Sequence, residues 1–219
     1  MRRRFLAKTG TLAHSARGIL QPAGASSVKQ PFYPSPILPA QCHWQPLGRQ
    51  PLPPVIGDWI ADSGSLTRRL RQHGRFAVQP LRQLITRPTA TELRLAGQRP
   101  RQHALLREVL LTLDGEPVVF ARSMLPLRSL RGANRVLGHM ARRSLGLELF
   151  KPPQATRRAV WVTCLDGARL PVPGLHGPVW GRESLFEKRG QPCLVAEFFL
   201  PALWARPDVA GGMPSHHRR

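Results

Sequence analysis

Negative charge is what this chain has least of: 12 Asp and Glu stand against 33 Lys and Arg, a formal net charge of +21 over 219 residues. Residues 1–57 contain no acidic side chain at all. Such a balance invites a nucleic-acid reading, because Lys and Arg release counterions from a phosphate backbone. The rest of that signature is missing. The arginines are scattered over every segment, aromatics make up 6%, and neither a basic stripe, a reading helix nor an RNA-binding signature can be picked out. Weak nonspecific adhesion follows from the charge; a specific nucleic-acid partner is not expected.

Cysteine is scarce too. Cys42, Cys164 and Cys193 are an odd number without C-x-x-C spacing, which argues against a disulfide framework and against a zinc site and favours a reducing, cytoplasmic setting. No apolar run approaches the roughly 20 residues that cross a bilayer, so no integral membrane contact is expected. Met1 to Leu20 is Arg-rich and acid-poor like a transit peptide, but lacks the continuous apolar stretch of a secretory signal and reads as an unstructured leader. There is no G-x-S-x-G, no H-E-x-x-H and no P-loop, and each His is isolated apart from His216-His217. Triad hydrolases, metalloenzymes and nucleotide-driven enzymes all lose ground. What remains is binding chemistry built on Arg and Glu.

Apolar residues are not lacking; at 42% they are enough for one folded domain. Prolines every few residues from Gln30 to Pro54 exclude long helices and central strands. Residues 1–43 are therefore expected to be a flexible arm, with Trp44 the first residue to pack. The domain is expected over 44–204, and a disordered tail over 205–219. Within the domain, Ser65 to Leu70 reads as helix, with Ser63 or Ser65 as N-cap and Gly74 as stop. Arg75 to Ile85 alternates as a strand, and residues 86–103 read as irregular. Two alternating runs joined at Asp114-Gly115 predict a β-hairpin with a type I′ turn. Residues 129–149 read as helical with a break near Gly146. Arg157 to Leu165 is a further strand, and Trp180 to Leu200 a second hairpin turning at Arg189-Gly190. About six mostly antiparallel strands with helices inserted between them predict an α+β fold.

Alternate residues of a strand share a face. Arg107 interrupts the apolar row Leu105, Val109, Leu111; Arg122 interrupts Val118, Phe120, Met124; Glu197 interrupts Cys193, Val195, Phe199. A charge in such a row loses hydration worth several kcal/mol unless something compensates. Arg107 and Glu197 either pair with each other across the core or face a small anionic ligand, and periodicity leaves both open. Arg122 is expected near a sheet edge, where it would snorkel to water.

The segments Asp62-Ser63-Gly64-Ser65-Leu66-Thr67-Arg68-Arg69-Leu70, Arg107-Glu108-Val109-Leu110-Leu111 with Asp114-Gly115-Glu116-Pro117, and Ala121-Arg122-Ser123 resemble the chorismate pyruvate-lyase family. So do Leu145-Gly146 with Leu149-Phe150, Trp180-Gly181-Arg182-Glu183-Ser184, and Glu197-Phe198-Phe199-Leu200-Pro201. Six short blocks keep the family's order over residues 58–201. The resemblance implies a six-stranded antiparallel sheet with helical flaps over a buried site. It implies a monomer that eliminates pyruvate from chorismate to give 4-hydroxybenzoate for ubiquinone synthesis, with no metal or cofactor. Carried over by position, Arg107 binds the ring carboxylate with help from the backbone N–H groups of Leu66 and Leu145. Glu197 faces the 4-hydroxyl, to orient it or to act as acid or base, and Arg122 is a candidate contact for a second carboxylate. Two positions depart from the family's pattern: Leu66 stands where the family's Ser-Met-Thr variant has Met, and Ser144 where some members carry Pro. The alternative is a non-catalytic sensor domain of the same fold that binds a small aromatic acid.

Overall fold

The computed structural model describes residues 42–140 and 142–210. Most of the expected arm, and the tail beyond 210 with His216-His217, lie outside them.

The alternating runs form the strands β2 (Phe76–Thr86), β3 (Ala104–Leu113), β4 (Glu116–Pro126), β5 (Thr156–Asp166), β6 (Pro178–Lys188) and β7 (Gln191–Phe199). A two-residue strand β1 (Gln45–Pro46) pairs with Trp161 and Val162 of β5, bringing the strand count to seven where six were expected. Its proline is tolerated because β1 lies at the sheet edge. The order is β1-β5-β6-β7-β4-β3-β2, antiparallel throughout. Both hairpin turns have two successive left-handed residues, Asp114 (φ 52°) with Gly115 (φ 90°) and Arg189 (φ 51°) with Gly190 (φ 71°). That is the type I′ geometry, whose twist matches the flanking strands.

Every residue of β3 is buried, and so is nearly all of β4, because both faces of the sheet are covered. One face packs under the helices α1 (Pro54–Ala61), α2 (Leu66–Leu70), α4 (Leu145–Leu149) and α5 (Pro201–Trp204), with Ile60, Leu70, Val109, Leu111 and Phe199 in its core. The other face, with Leu110, Phe120, Ala196 and Phe198, is covered by residues around Trp44, by the 170–175 loop and by α3 (Ala90–Leu95). A Cβ on Gly181 would stand 2.6 Å from the Phe198 ring, so only glycine lets that ring lie against β6.

Three segments differ from expectation. Residues 86–103 contain α3, which is held by a capping box: the Thr89 hydroxyl accepts from Glu92 N and the Glu92 carboxylate accepts from Thr89 N. The span 129–149 is two 3₁₀ segments, Leu127–Leu130 and Gly132–Gly138, followed by α4; Gly132 at φ 56° breaks any continuous helix there. The tail does not begin disordered. Pro207–Ala210 forms a short helix, α6, whose Val209 is buried, and Asp208 accepts a hydrogen bond from His73 at 2.6 Å.

Candidate active site

Strand register decides which charges meet. Arg107 on β3 stands opposite Ser123 on β4, and Glu197 on β7 stands opposite Ala121 on one side and Arg182 of β6 on the other. Arg107, Ser123, Arg182 and Glu197 line one cavity between this face of the sheet and the helices over it. One strand, β4, separates Arg107 from Glu197, so they stand two strand spacings, about 10 Å, apart across the sheet.

The roof is made by the starts of two short helices. Leu66 opens α2 behind the N-cap Ser65, whose hydroxyl accepts from Arg68 N at 3.4 Å. Leu145 opens α4 behind Ser144, whose hydroxyl accepts from Leu147 N at 3.1 Å. A helix's first residue has no use within the helix for its own N–H, and both leucines line the cavity. The two flaps touch through their hydroxyls, Thr67 Oγ1 and Ser144 Oγ being 2.6 Å apart. A Cβ on Gly146 would come within 3.2 Å of Thr67 Oγ1, so glycine permits this approach. The far end of α4 is fastened by Lys188, 2% exposed, whose Nζ donates to the carbonyls of Glu148 (2.8 Å), Leu149 (3.2 Å), Lys151 (3.1 Å) and Pro153 (3.2 Å).

Arg107 is 3% exposed and its Nη2 donates to the Arg143 carbonyl at 2.9 Å, just ahead of α4. Burial pushes its pKa down to about 10, so it keeps its charge at neutral pH but with little hydration. An anion in the cavity therefore restores what burial removed. Glu197 accepts from Arg182 Nε at 2.6 Å. Arg182 Nη1 in turn donates to the carbonyls of Trp59 (3.0 Å), Ile60 (3.2 Å) and Asp62 (3.0 Å), at the C-terminal end of α1. The ion pair of Glu197 is thus made with its neighbour on β6, which decides against a core pair between Arg107 and Glu197. Leu66, Arg107, Leu145 and Glu197 all meet at this one cavity.

Arg122 does not. Neighbouring residues of a strand project to opposite faces, so Arg122, next to Ser123, lies on the far side of the sheet. It is 4% exposed, and β4 is an interior strand, not an edge. Its Nε donates to Glu92 at 3.0 Å and its Nη1 to Glu108 at 2.5 Å, with Arg82 at 3.1 Å from the other oxygen of Glu108. The expected contact between Arg122 and a second carboxylate is therefore corrected: this guanidinium is a structural cation. Glu183, 4% exposed on that same face, has its pKa pushed up to about 8, first by burial and then by Glu92.

Two charged cavity residues were not singled out as site candidates from the sequence, Arg182 and Arg157. Arg182 stands in the same row as Phe186 on β6, and the alternation that exposed Glu197 would have exposed it. Arg157 reaches the cavity through a bulge in β5 between Arg157 and Ala159, for which the sequence has no marker. With Val109, Leu149 and Phe186 as apolar walls, the arrangement suits a flat, largely apolar acid with a carboxylate at one end and a hydrogen-bonding group at the other.

Residues 38–209 match the family model described as chorismate lyase. The chain is 53% identical over 179 residues to the probable chorismate pyruvate-lyase of Alcanivorax borkumensis, covering 80% of this chain and 85% of that one. It is 43% identical over 159 residues to the probable chorismate pyruvate-lyase of Methylobacillus flagellatus, covering 69% of this chain and 89% of that one. Among solved structures, PhnF from Mycobacterium smegmatis is similar with a TM-score of 0.50 at 15% identity, covering 65% of this chain and 66% of that one, a likeness of fold alone.

Proposed function

This chain belongs to the chorismate lyase family, and on that premise we propose that it eliminates pyruvate from chorismate to give 4-hydroxybenzoate. The observation that carries the reading is the placement of Arg107 and Glu197 at one cavity with apolar walls, separated by two strand spacings.

Chorismate carries a ring carboxylate and, across the ring, a carbon bearing both the 4-hydroxyl and a hydrogen. In this reading Arg107 receives the ring carboxylate through its planar fork, and the Leu66 and Leu145 N–H groups add donors to the same anion. Glu197, held in place by Arg182, accepts the hydrogen bond of the 4-hydroxyl. The reaction breaks the ether bond to the enolpyruvyl group and moves the neighbouring ring hydrogen to its methylene carbon, releasing pyruvate as the ring becomes aromatic. Electrons and atoms balance within the substrate, so the chemistry asks for no redox partner. What the protein supplies is the reactive conformer, a fixed hydrogen-bond acceptor and exclusion of water by the two flaps. Glu197 orients the hydroxyl in this scheme; a carboxylate tied at 2.6 Å to a buried guanidinium is built to hold a position. The product suits the start of ubiquinone ring synthesis. The protein acts as a cytoplasmic monomer in this reading, and among the described residues no helix is long and apolar enough to cross a membrane.

The test is to incubate the purified full chain with chorismate and follow both products. 4-Hydroxybenzoate and pyruvate appear in equal amounts well above the uncatalysed background, and a chelator leaves the rate unchanged. Binding of 4-hydroxybenzoate without turnover of chorismate would instead mark a sensor domain.

A further inference from the structure

Three guanidinium groups line the cavity, those of Arg107, Arg157 and Arg182, and the proposed reaction accounts for two of them. Arg107 meets the ring carboxylate, and Arg182 is taken up by Glu197 and the end of α1. Arg157 is different. Its Nη1 donates to the Asp62 carbonyl at 2.7 Å, and Nη2 reaches the Gly64 carbonyl only at 3.5 Å. Its Nε is buried and has no hydrogen-bond acceptor among the described residues. Among those residues, no carboxylate lies within ion-pair distance of it either. The guanidinium stands over the Phe186 ring, 5.0 Å from its centroid, at the cavity wall. Burial first, and then the like charge of Arg182, push its pKa down, and the more distant carboxylates of Glu197 and Asp62 offset this only in part. A buried cation with a spare donor and a cationic neighbour is costly to keep unless an anion joins it.

The position of this group in the cavity is informative. Arg157 and Arg182 share the Asp62 carbonyl, and Arg182 holds Glu197, so Arg157 sits at the Glu197 end. In chorismate the enolpyruvyl ether is attached next to the carbon bearing the 4-hydroxyl. A ring with its carboxylate at Arg107 and its hydroxyl at Glu197 therefore directs its second carboxylate toward that same end. Resting on the chorismate lyase reading, we infer that Arg157 binds the enolpyruvyl carboxylate of the substrate. The role expected of Arg122 falls instead to a residue delivered by the β5 bulge. Arg157 then distinguishes substrate from product. The dianionic substrate engages both Arg107 and Arg157, whereas 4-hydroxybenzoate, having lost the second carboxylate with pyruvate, engages Arg107 alone.

The rival reading is purely structural: Arg157 fastens the loop ahead of the Leu66 flap through the Asp62 and Gly64 carbonyls. Two stable acids that differ by one carboxylate separate the two. Calorimetric titration compares 3-(carboxymethoxy)-4-hydroxybenzoate with 3-methoxy-4-hydroxybenzoate on wild type, Arg157→Gln and Arg157→Lys, each first checked for folding by circular dichroism. Wild type prefers the diacid, and Arg157→Gln loses roughly 10- to 100-fold of that preference, as for a lost hydrogen bond to a charged group, while holding the monoacid within about 3-fold. Arg157→Lys, which keeps the charge but not the fork, falls between. An equal loss of both acids in the variants overturns the inference in favour of the structural role. If Arg157→Gln does not fold, the wild-type and Arg157→Lys titrations decide, and absence of a diacid preference in wild type overturns it outright. These readouts are binding constants. Failure of wild type to turn over chorismate would overturn the proposed function separately.

Discussion

Adjacent positions on β4 show how differently the two faces of the sheet treat a buried charge. On the far face Arg122 is enclosed by Glu92 and Glu108, with Arg82 completing a network of side chains. On the cavity face the neighbouring Ser123 stands opposite Arg107, whose guanidinium donates to the main chain, and Arg157 likewise holds carbonyls. The far face neutralises its cation with carboxylates that belong to the fold. On the cavity face Arg182 is paired with Glu197, while Arg107 and Arg157 donate to main-chain carbonyls, and in the proposed function an anionic substrate joins them. In the proposed reading the same residue type is structural on one side and binds substrate on the other, and what differs is how much of its hydrogen bonding goes to carboxylates of the fold.

The same substitution on the two faces tests this most severely. Arg122→Met strands Glu92 and Glu108 without their shared cation and is expected to cost ~3–5 kcal/mol in urea denaturation. Arg107→Met removes a guanidinium whose charge burial already disfavours, so its melting temperature should be no lower than that of wild type. Its affinity for 4-hydroxybenzoate should instead fall by about 100-fold by calorimetry. A stable Arg122→Met, or an Arg107→Met that still binds, breaks the comparison.

Glu183 sharpens it through pH. The folded protein keeps this carboxyl protonated up to about pH 8, whereas the unfolded chain releases the proton in the ordinary carboxylate range. Between those values the folded state binds the extra proton, so stability falls as pH rises and the loss levels off above about pH 8. Glu183→Gln is neutral at every pH. Its melting temperature should gain on wild type progressively from pH 5 to 8 and then run parallel; a constant gap would contradict the burial argument. The smallest effect concerns the flaps. Ser144→Ala removes both an N-cap and the bridge to Thr67, and is expected to cost ~1 kcal/mol of stability. It should also release 4-hydroxybenzoate faster in stopped-flow displacement.

Local chemistry made much of this legible in advance. Asp114-Gly115 and Arg189-Gly190 set both hairpins, Ser65 capped its helix, and period-two alternation singled out Arg107 and Glu197 as charges in apolar rows, which the strand register then put on one face. The same alternation flagged Arg122 without revealing its face, because the sign that decides it, Glu92, arrives from a helix 30 residues away. That helix had a signal, the Thr89-x-x-Glu92 capping box, in a stretch that otherwise read as irregular. Arg157 had none, since a bulge is an accommodation between two strands and not a pattern in one.

The claim on which the account turns is that Arg107 and Glu197 are the two ends of one aromatic-acid site. It is tested most directly by titrating benzoate and 4-hydroxybenzoate against wild type, Arg107→Met and Glu197→Met. Wild type should prefer the hydroxylated acid by about tenfold or more, a hydrogen bond to a carboxylate. Arg107→Met should weaken both acids equally and keep that preference, whereas Glu197→Met should abolish the preference. Retention of the full preference in Glu197→Met would show that the hydroxyl binds elsewhere and would contradict the two-ended site.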